Sequence, residues 1–261
     1  MRMSRRELLQ AGLGTGLAAV CGAATTPPLL GLIAPPADYP VPPEAIALYG
    51  RDIRFLVHGL GLKSMTPEGY DSVIDKIVPF AQEQKRAGVT AISIFGTSLT
   101  FYRGAAFNQK LIDDVHRETG LPTTSMSTAV VDGLKAVKAR RVAAATAYNE
   151  EVSGRLKTFL EESGFEVVAM KGLGLEAIGD PSKVTQEDLR RFGADVFRSA
   201  SKVDALVVSC GGLRTLEIIA PLEQTCRVPV VSSTPHALWA GMRLLGLHVR
   251  VPAYGQLIAR G

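Results

Sequence analysis

Short apolar runs alternate with longer amphipathic segments along most of this chain, and that alternation restricts it to one fold class. The runs cover residues 29–34, 53–57, 91–95, 123–125, 142–146, 166–169, 205–209 and 229–232. Several are rich in Val or Ile, as parallel strands buried on both faces should be. The segments between them, such as 66–87 and 150–162, read as helices. Thr66-Pro67-Glu68 opens the first with proline in the first turn, and Gly88 and Gly164 stand where helices should stop. Strand and helix in alternation predict an α/β fold with parallel sheets.

The body also repeats itself. Residues 89–99 line up with 203–213, and 121–126 line up with 228–233. Gly96-Thr97-Ser98 then falls opposite Cys210-Gly211-Gly212, and Cys226 opposite Gly120. Tyr148 follows one strand as Pro35 and Pro36 follow its counterpart. The repeat predicts two similar Rossmann-like lobes with parallel sheets, related by a pseudo-twofold. Their halves are 29–140 and 141–240, with a C-terminal tail at 241–261. Ligands of such sheets bind at the carboxyl ends of strands, so the active site is expected in the cleft between the lobes.

Residues 1–28 are a separate text. Arg5-Arg6 precedes a stretch with no charged residue until Asp38. The run 11–24 is apolar, too short for a stable membrane span, and broken by Gly12, Gly14, Gly16 and Gly22. A twin-arginine pair before a weakly hydrophobic run reads as an export signal. Gly12-Leu13-Gly14-Thr15-Gly16 follows no predicted strand and is not a dinucleotide loop. Gly59-Leu60-Gly61-Leu62-Lys63-Ser64 lacks the spacing of a phosphate loop.

Charge excludes one class of partner. Lys and Arg total 29 and Asp and Glu 25, but Arg2, Arg5, Arg6 and Glu7 stand in the first seven residues, leaving 26 against 24. A body this close to neutral, with 6% aromatic residues, lacks the basic stripe and stacking surface that nucleic acid needs. Three widely spaced cysteines offer neither a disulfide framework nor a zinc spacing. His58, His116, His236 and His248 show no ligand spacing and read as structural or surface residues. No metal site is expected.

The strand ends carry chemistry. Cys210 ends a buried strand and precedes two glycines, which leave backbone amides uncovered for an anion. Thr97 and Ser98 offer hydroxyls and amides in the symmetric place, and the Tyr148 phenol adds a donor. Together with Cys210 and Gly211 these form a carboxylate cradle without lysine or arginine. A thiol beside such a cradle suggests proton transfer at the carbon next to the carboxylate, because a thiol of ordinary pKa near 8.5 can donate at neutral pH. Opposite Cys210 the repeat puts Gly96, so only one face has a donor.

On these residues the chain resembles the arylmalonate decarboxylase family, within the aspartate/glutamate racemase superfamily. The resemblance lies in Gly59-Leu60-Gly61-Leu62, Thr66-Pro67-Glu68-Gly69-Tyr70, Gly96-Thr97-Ser98-Leu99, Phe101-Tyr102-Arg103-Gly104, Met126-Ser127-Thr128-Ala129-Val130, Ala145-Thr146-Ala147-Tyr148, Ser209-Cys210-Gly211-Gly212-Leu213 and Tyr254-Gly255. It runs from about residue 30 to the end. The resemblance implies a carboxy-lyase without a cofactor, acting on small dicarboxylates: α-disubstituted malonates with an aryl or alkenyl group. One carboxylate would sit among Thr97, Ser98, Tyr148 and the amides of Cys210 and Gly211. The other would face an apolar wall, with Gly96 opposite the thiol and Pro35, Leu62, Met65, Leu99, Leu175 and Ile178 in the wall. Losing a buried, unpaired carboxylate as neutral CO2 relieves its desolvation cost. Cys210 would then protonate the enediolate on one face. Racemases and maleate isomerases of the superfamily carry cysteine at both strand ends, and Gly96 argues against that reading. An exported carboxylate-binding protein is the alternative from another class, but binding alone needs no thiol.

Overall fold

Val, Ile, Leu and Ala fill the strand segments because both faces of each sheet are covered by helices. The computed structural model describes residues 26–261, so the export signal read at 1–28 lies, up to residue 25, outside the described residues. The strands are β1 (Leu29–Ala34), β2 (Arg54–Gly59), β3 (Ala91–Ile94), β4 (Thr123–Ser125), β5 (Arg141–Tyr148), β6 (Glu166–Leu175), β7 (Ala205–Ser209) and β8 (Val230–Ser232). They form two four-stranded sheets, in the orders β2-β1-β3-β4 and β6-β5-β7-β8. Every pairing is parallel, and the second order repeats the first. The central strands β3, β5 and β7 are buried almost throughout, whereas the edge strands β2 and β6 are half-exposed. Each fully buried Leu, Ile or Val there contributes about 1.5–3 kcal/mol.

The helices are α1 (Pro43–Tyr49), α2 (Pro67–Asp71), α3 (Ile77–Arg86), α4 (Thr97–Phe101), α5 (Gly104–Thr119), α6 (Met126–Ala136), α7 (Glu150–Glu162), α8 (Gln186–Arg198), α9 (Leu216–Cys226) and α10 (Ser233–Leu244). The single helix expected over 66–87 is broken into α2, a 3-10 turn at Ile74–Lys76, and α3. Pro79 gives the reason. Inside a continuous helix it would clash with the carbonyl four residues earlier, but a restart at Ile77 puts it in a first turn, where no amide is needed. Caps define several other starts. Ser125 accepts from the Thr128 amide, Asn149 from Val152 and Thr185 from Asp188.

The crossing helices tie the halves together. α10 packs against α6 and over β3 and β4 of the other sheet. It continues to Leu244, so the division at residue 240 falls inside a helix. Arg227, not Cys226, occupies the left-handed helix-ending position that Gly120 holds in the first half. Cys226 is the last residue of α9, one position earlier than the repeat expected, because the shared Leu121-Pro122 and Val228-Pro229 pairs set the register. No helix among the described residues is long and apolar enough to cross a membrane.

Candidate active site

The ends of β3 and β7 line one cavity of about 360 Å³. After β3 the chain turns through Gly96, at φ 96°, directly into α4. A Cβ there would lie 2.5 Å from Pro35 Cγ, so conformation and space both favour glycine, and any side chain would have to displace Pro35. After β7 come Cys210, Gly211 and Gly212. Gly211 also meets a space limit, since a Cβ on it would lie 3.1 Å from Met126 Sδ.

Cys210 is buried at 5% exposure. Its Sγ accepts from the Gly212 amide at 3.4 Å and lies 4.0 Å from Met65 Sδ. Burial pushes the thiol up to about 11, although the amides of Gly212 and Leu213 and the Tyr148 phenol favour the thiolate. At neutral pH the group is therefore a thiol with a proton to give.

A residue that the sequence reading missed joins the two strand ends. Ser233, fully buried in the first turn of α10, accepts from the Thr97 hydroxyl at 2.7 Å and from the Cys210 amide at 3.1 Å. Two expected cradle donors thus already share one acceptor. Ser98 and Gly211 also line the cavity. Beside Ser98 lies the Tyr70 hydroxyl, fully buried and without a well-formed hydrogen bond among the described residues. The only cue to Tyr70 was its place in the Thr66-Pro67-Glu68-Gly69-Tyr70 motif. Nothing local marked Ser233, because the crossing of α10 alone brings it here.

Tyr148 lies beside the strand ends, behind the residues that face the open cavity. It is the last residue of β5, fully buried, and does not line the cavity. β5 runs two residues beyond the expected strand because β6 offers Gly172, whose missing side chain lets the Tyr148 carbonyl approach. The phenol lies 3.3 Å from Ser209 Oγ, and its hydrogen bonding reaches Thr97 and Cys210. The phenol is thus a donor beside both strand ends.

The apolar wall is built by loops that cross between the lobes. The Met65 amide donates to the Glu176 carbonyl at 2.7 Å, and the Ile178 amide to the Lys63 carbonyl at 3.1 Å. Pro35, Leu62, Met65 and Ile178 line the cavity as expected. Leu99 does not: it is fully buried behind Gly96 because α4 turns it inward. Leu175 does not either, since β6 extends to it and pairs it with Tyr148. Tyr39, Glu44, Met126, Ser182 and Arg214 line the cavity without having been anticipated.

His236 is buried and held neutral, its pKa lowered by burial to about 4, and its Nδ1 accepts from the Ser232 amide at 3.0 Å. This fixes the start of α10 and hence Ser233. Among the described residues no group of three His, Cys, Asp or Glu is placed to hold a metal ion.

Comparison with known proteins gives a consistent result. A family model described as arylmalonate decarboxylase matches residues 30–258. Arylmalonate decarboxylase from Bordetella bronchiseptica is 43% identical over 231 residues, covering 88% of this chain and 96% of that protein. A liganded structure of an arylmalonate decarboxylase variant, substituted at one glycine and one cysteine, superposes with a TM-score of 0.86 at 42% identity, covering 88% of this chain and 98% of that one. Maleate cis-trans isomerase from Nocardia farcinica shares the fold, with a TM-score of 0.82 at 23% identity over 90% of this chain and 99% of that one.

Proposed function

The chain belongs to the arylmalonate decarboxylase family, and from that premise we propose how its own residues carry out the decarboxylation of α-disubstituted malonates. One carboxylate binds at the strand ends, to Ser98, the Tyr148 phenol and the Gly211 amide; the Thr97 hydroxyl turns to it from Ser233, and the Cys210 amide shares its hydrogen between Ser233 and the carboxylate. The second carboxylate lies against Pro35, Leu62, Met65 and Ile178. Nothing in that wall replaces the water the carboxylate loses, so its ionised form is destabilised. The bond from the α-carbon to this carboxylate breaks and CO2 leaves. The electron pair passes into the retained carboxylate as an enediolate, stabilised by the cradle donors. The Cys210 S–H bond then breaks, the proton goes to the α-carbon, and the thiolate recovers a proton from solvent.

The observation that carries this reading is the single buried thiol at one strand end with Gly96 at the other. One donor delivers a proton to one face, so the product is a single enantiomer. A racemase or maleate isomerase reaction would need a second acid-base group opposite Cys210. The electron flow as written uses no cofactor, so dialysis against EDTA should leave the rate unchanged. The experiment is incubation with α-methyl-α-phenylmalonate, following CO2 and the optical purity of 2-phenylpropionate. Failure to release CO2 removes the reading.

The same proposal includes export through the twin-arginine pair Arg5-Arg6, supported by the charge-free run that follows it. Replacing both with Lys should retain the protein in the cytoplasm. A wild type that is itself cytoplasmic would refute export.

A further inference from the structure

Besides the thiol and its cradle, the cavity is lined by a second set of polar groups. Pro42-Pro43 leads into α1, whose first turn carries Glu44. Glu44 lines the cavity and is only 9% exposed. No side chain donates a hydrogen bond to its carboxylate among the described residues, and Arg214, which also lines the cavity, acts on it only through space. Burial raises its pKa, with Glu217 acting in the same direction, while its own backbone amide and Arg214 oppose them. Glu217 itself is exposed and held by Gln186 at 3.0 Å. A carboxylate on a residue this buried, with no side-chain donor and only its own backbone amide beside it, has acceptor capacity left for a ligand. Tyr39 lines the cavity as well, and both Glu44 and Cys210 act on its phenol. Tyr39, Pro36 and Pro40 thus line the same cavity as the reacting thiol and a carboxylate that no side chain engages among the described residues.

We propose that Glu44 recognises a hydroxyl at the far end of the substrate's α-substituent, so that hydroxyaryl malonates are the preferred substrate class. The chemistry selects a hydroxyl. Arg214 disfavours a distal cation, and Glu44 with Glu217 disfavours a distal anion. A neutral hydroxyl donates to Glu44 and accepts from Arg214, satisfying both. An aromatic ring suits the proline-lined surface that the same cavity offers. The proposal rests on the decarboxylase reading and names the substrate within it.

The test compares kcat/KM, by CO2 release, for phenylmalonate, 3-hydroxyphenylmalonate and 4-hydroxyphenylmalonate. The wild type should prefer one hydroxy isomer over phenylmalonate by about tenfold or more, the scale of a hydrogen bond to a charged group, mainly through KM. Glu44→Gln, which keeps an acceptor and the shape, should retain part of that ratio. Glu44→Leu should bring it to one or below. A wild-type ratio near one for both isomers, or a preference that survives Glu44→Leu, overturns the proposal. The wild-type and Gln ratios suffice if the Leu variant does not fold. Absence of CO2 from all three compounds would instead remove the decarboxylase reading, and this proposal with it.

Discussion

The ends of β3 and β7 occupy equivalent places in the two sheets, yet they do different work. Their backbone frames match. Ser127 Oγ donates to the Thr97 carbonyl at 2.8 Å, and Thr234 Oγ1 donates to the Gly211 carbonyl at 3.1 Å, each from the first turn of the crossing helix of its own half. The side chains do not match. One end has Gly96, pinned by a positive φ and by Pro35; the other has a buried thiol. Met126 opens one crossing helix and lies against Gly211, while Ser233 opens the other and bonds to Thr97. The fold is thus nearly symmetric in its backbone frame and asymmetric in its strand-end side chains, as the proposed one-sided protonation requires.

The severest way to break that contrast is Cys210→Ser. An alcohol is a far weaker acid than a thiol, so turnover should fall by about 10²-fold or more, with the fold retained by circular dichroism. Near-wild-type CO2 release would show that the thiol is not the donor. Gly96→Cys attacks the other end. Its backbone and the contact with Pro35 predict a stability loss of about 1–3 kcal/mol, read as a lower denaturation midpoint. Decarboxylation should slow, and racemisation of 2-phenylpropionate should appear. A stable variant that binds the acid but neither racemises it nor exchanges its α-hydrogen would mean that residues 96 and 210 do not face the same carbon.

Ser233→Ala sharpens the comparison at the bridge between the halves. It leaves the Thr97 hydroxyl and the Cys210 amide without their acceptor, costing about 1–3 kcal/mol in denaturant unfolding. It should also lower kcat by roughly tenfold, the equivalent of about 1.4 kcal/mol. An unchanged kcat in a destabilised variant would leave Ser233 a purely structural residue. The smallest effect is in pH. Because burial raises the Cys210 pKa to about 11, the donor stays protonated below that value. The rate should be flat with respect to the donor from neutral pH upward and fall only on approaching that value. A decline centred near the ordinary thiol value of about 8.5 would show a thiol far more solvated than this one.

Much of this contrast was legible in the amino-acid sequence. Strands buried on both faces, such as β5 with Ala143, Ala144 and Ala145, announce themselves by composition. The doubled strand-end motif pointed to Gly96 and Cys210 lining one cavity, as they do. What stayed hidden depends on long-range contact. Ser233 matters only because α10 crosses to the other sheet. Glu44 reaches the cavity only because 35–43 folds back over it. Leu175 left its expected place because β5 and β6 lengthen each other through close pairing at Gly172, which no local pattern records. Leu99 looked like wall and became core because a tight turn at Gly96 rotates the first turn of α4.

The most direct test of one-sided chemistry is decarboxylation of α-methyl-α-phenylmalonate by the wild type in deuterated water, with the 2-phenylpropionate followed over time for optical purity and α-deuterium. One thiol facing one glycine predicts a single enantiomer carrying one α-deuterium, with neither value changing on prolonged incubation. A racemic product, or optical purity that decays while the enzyme remains active, would require a second proton donor on the opposite face and would contradict the account.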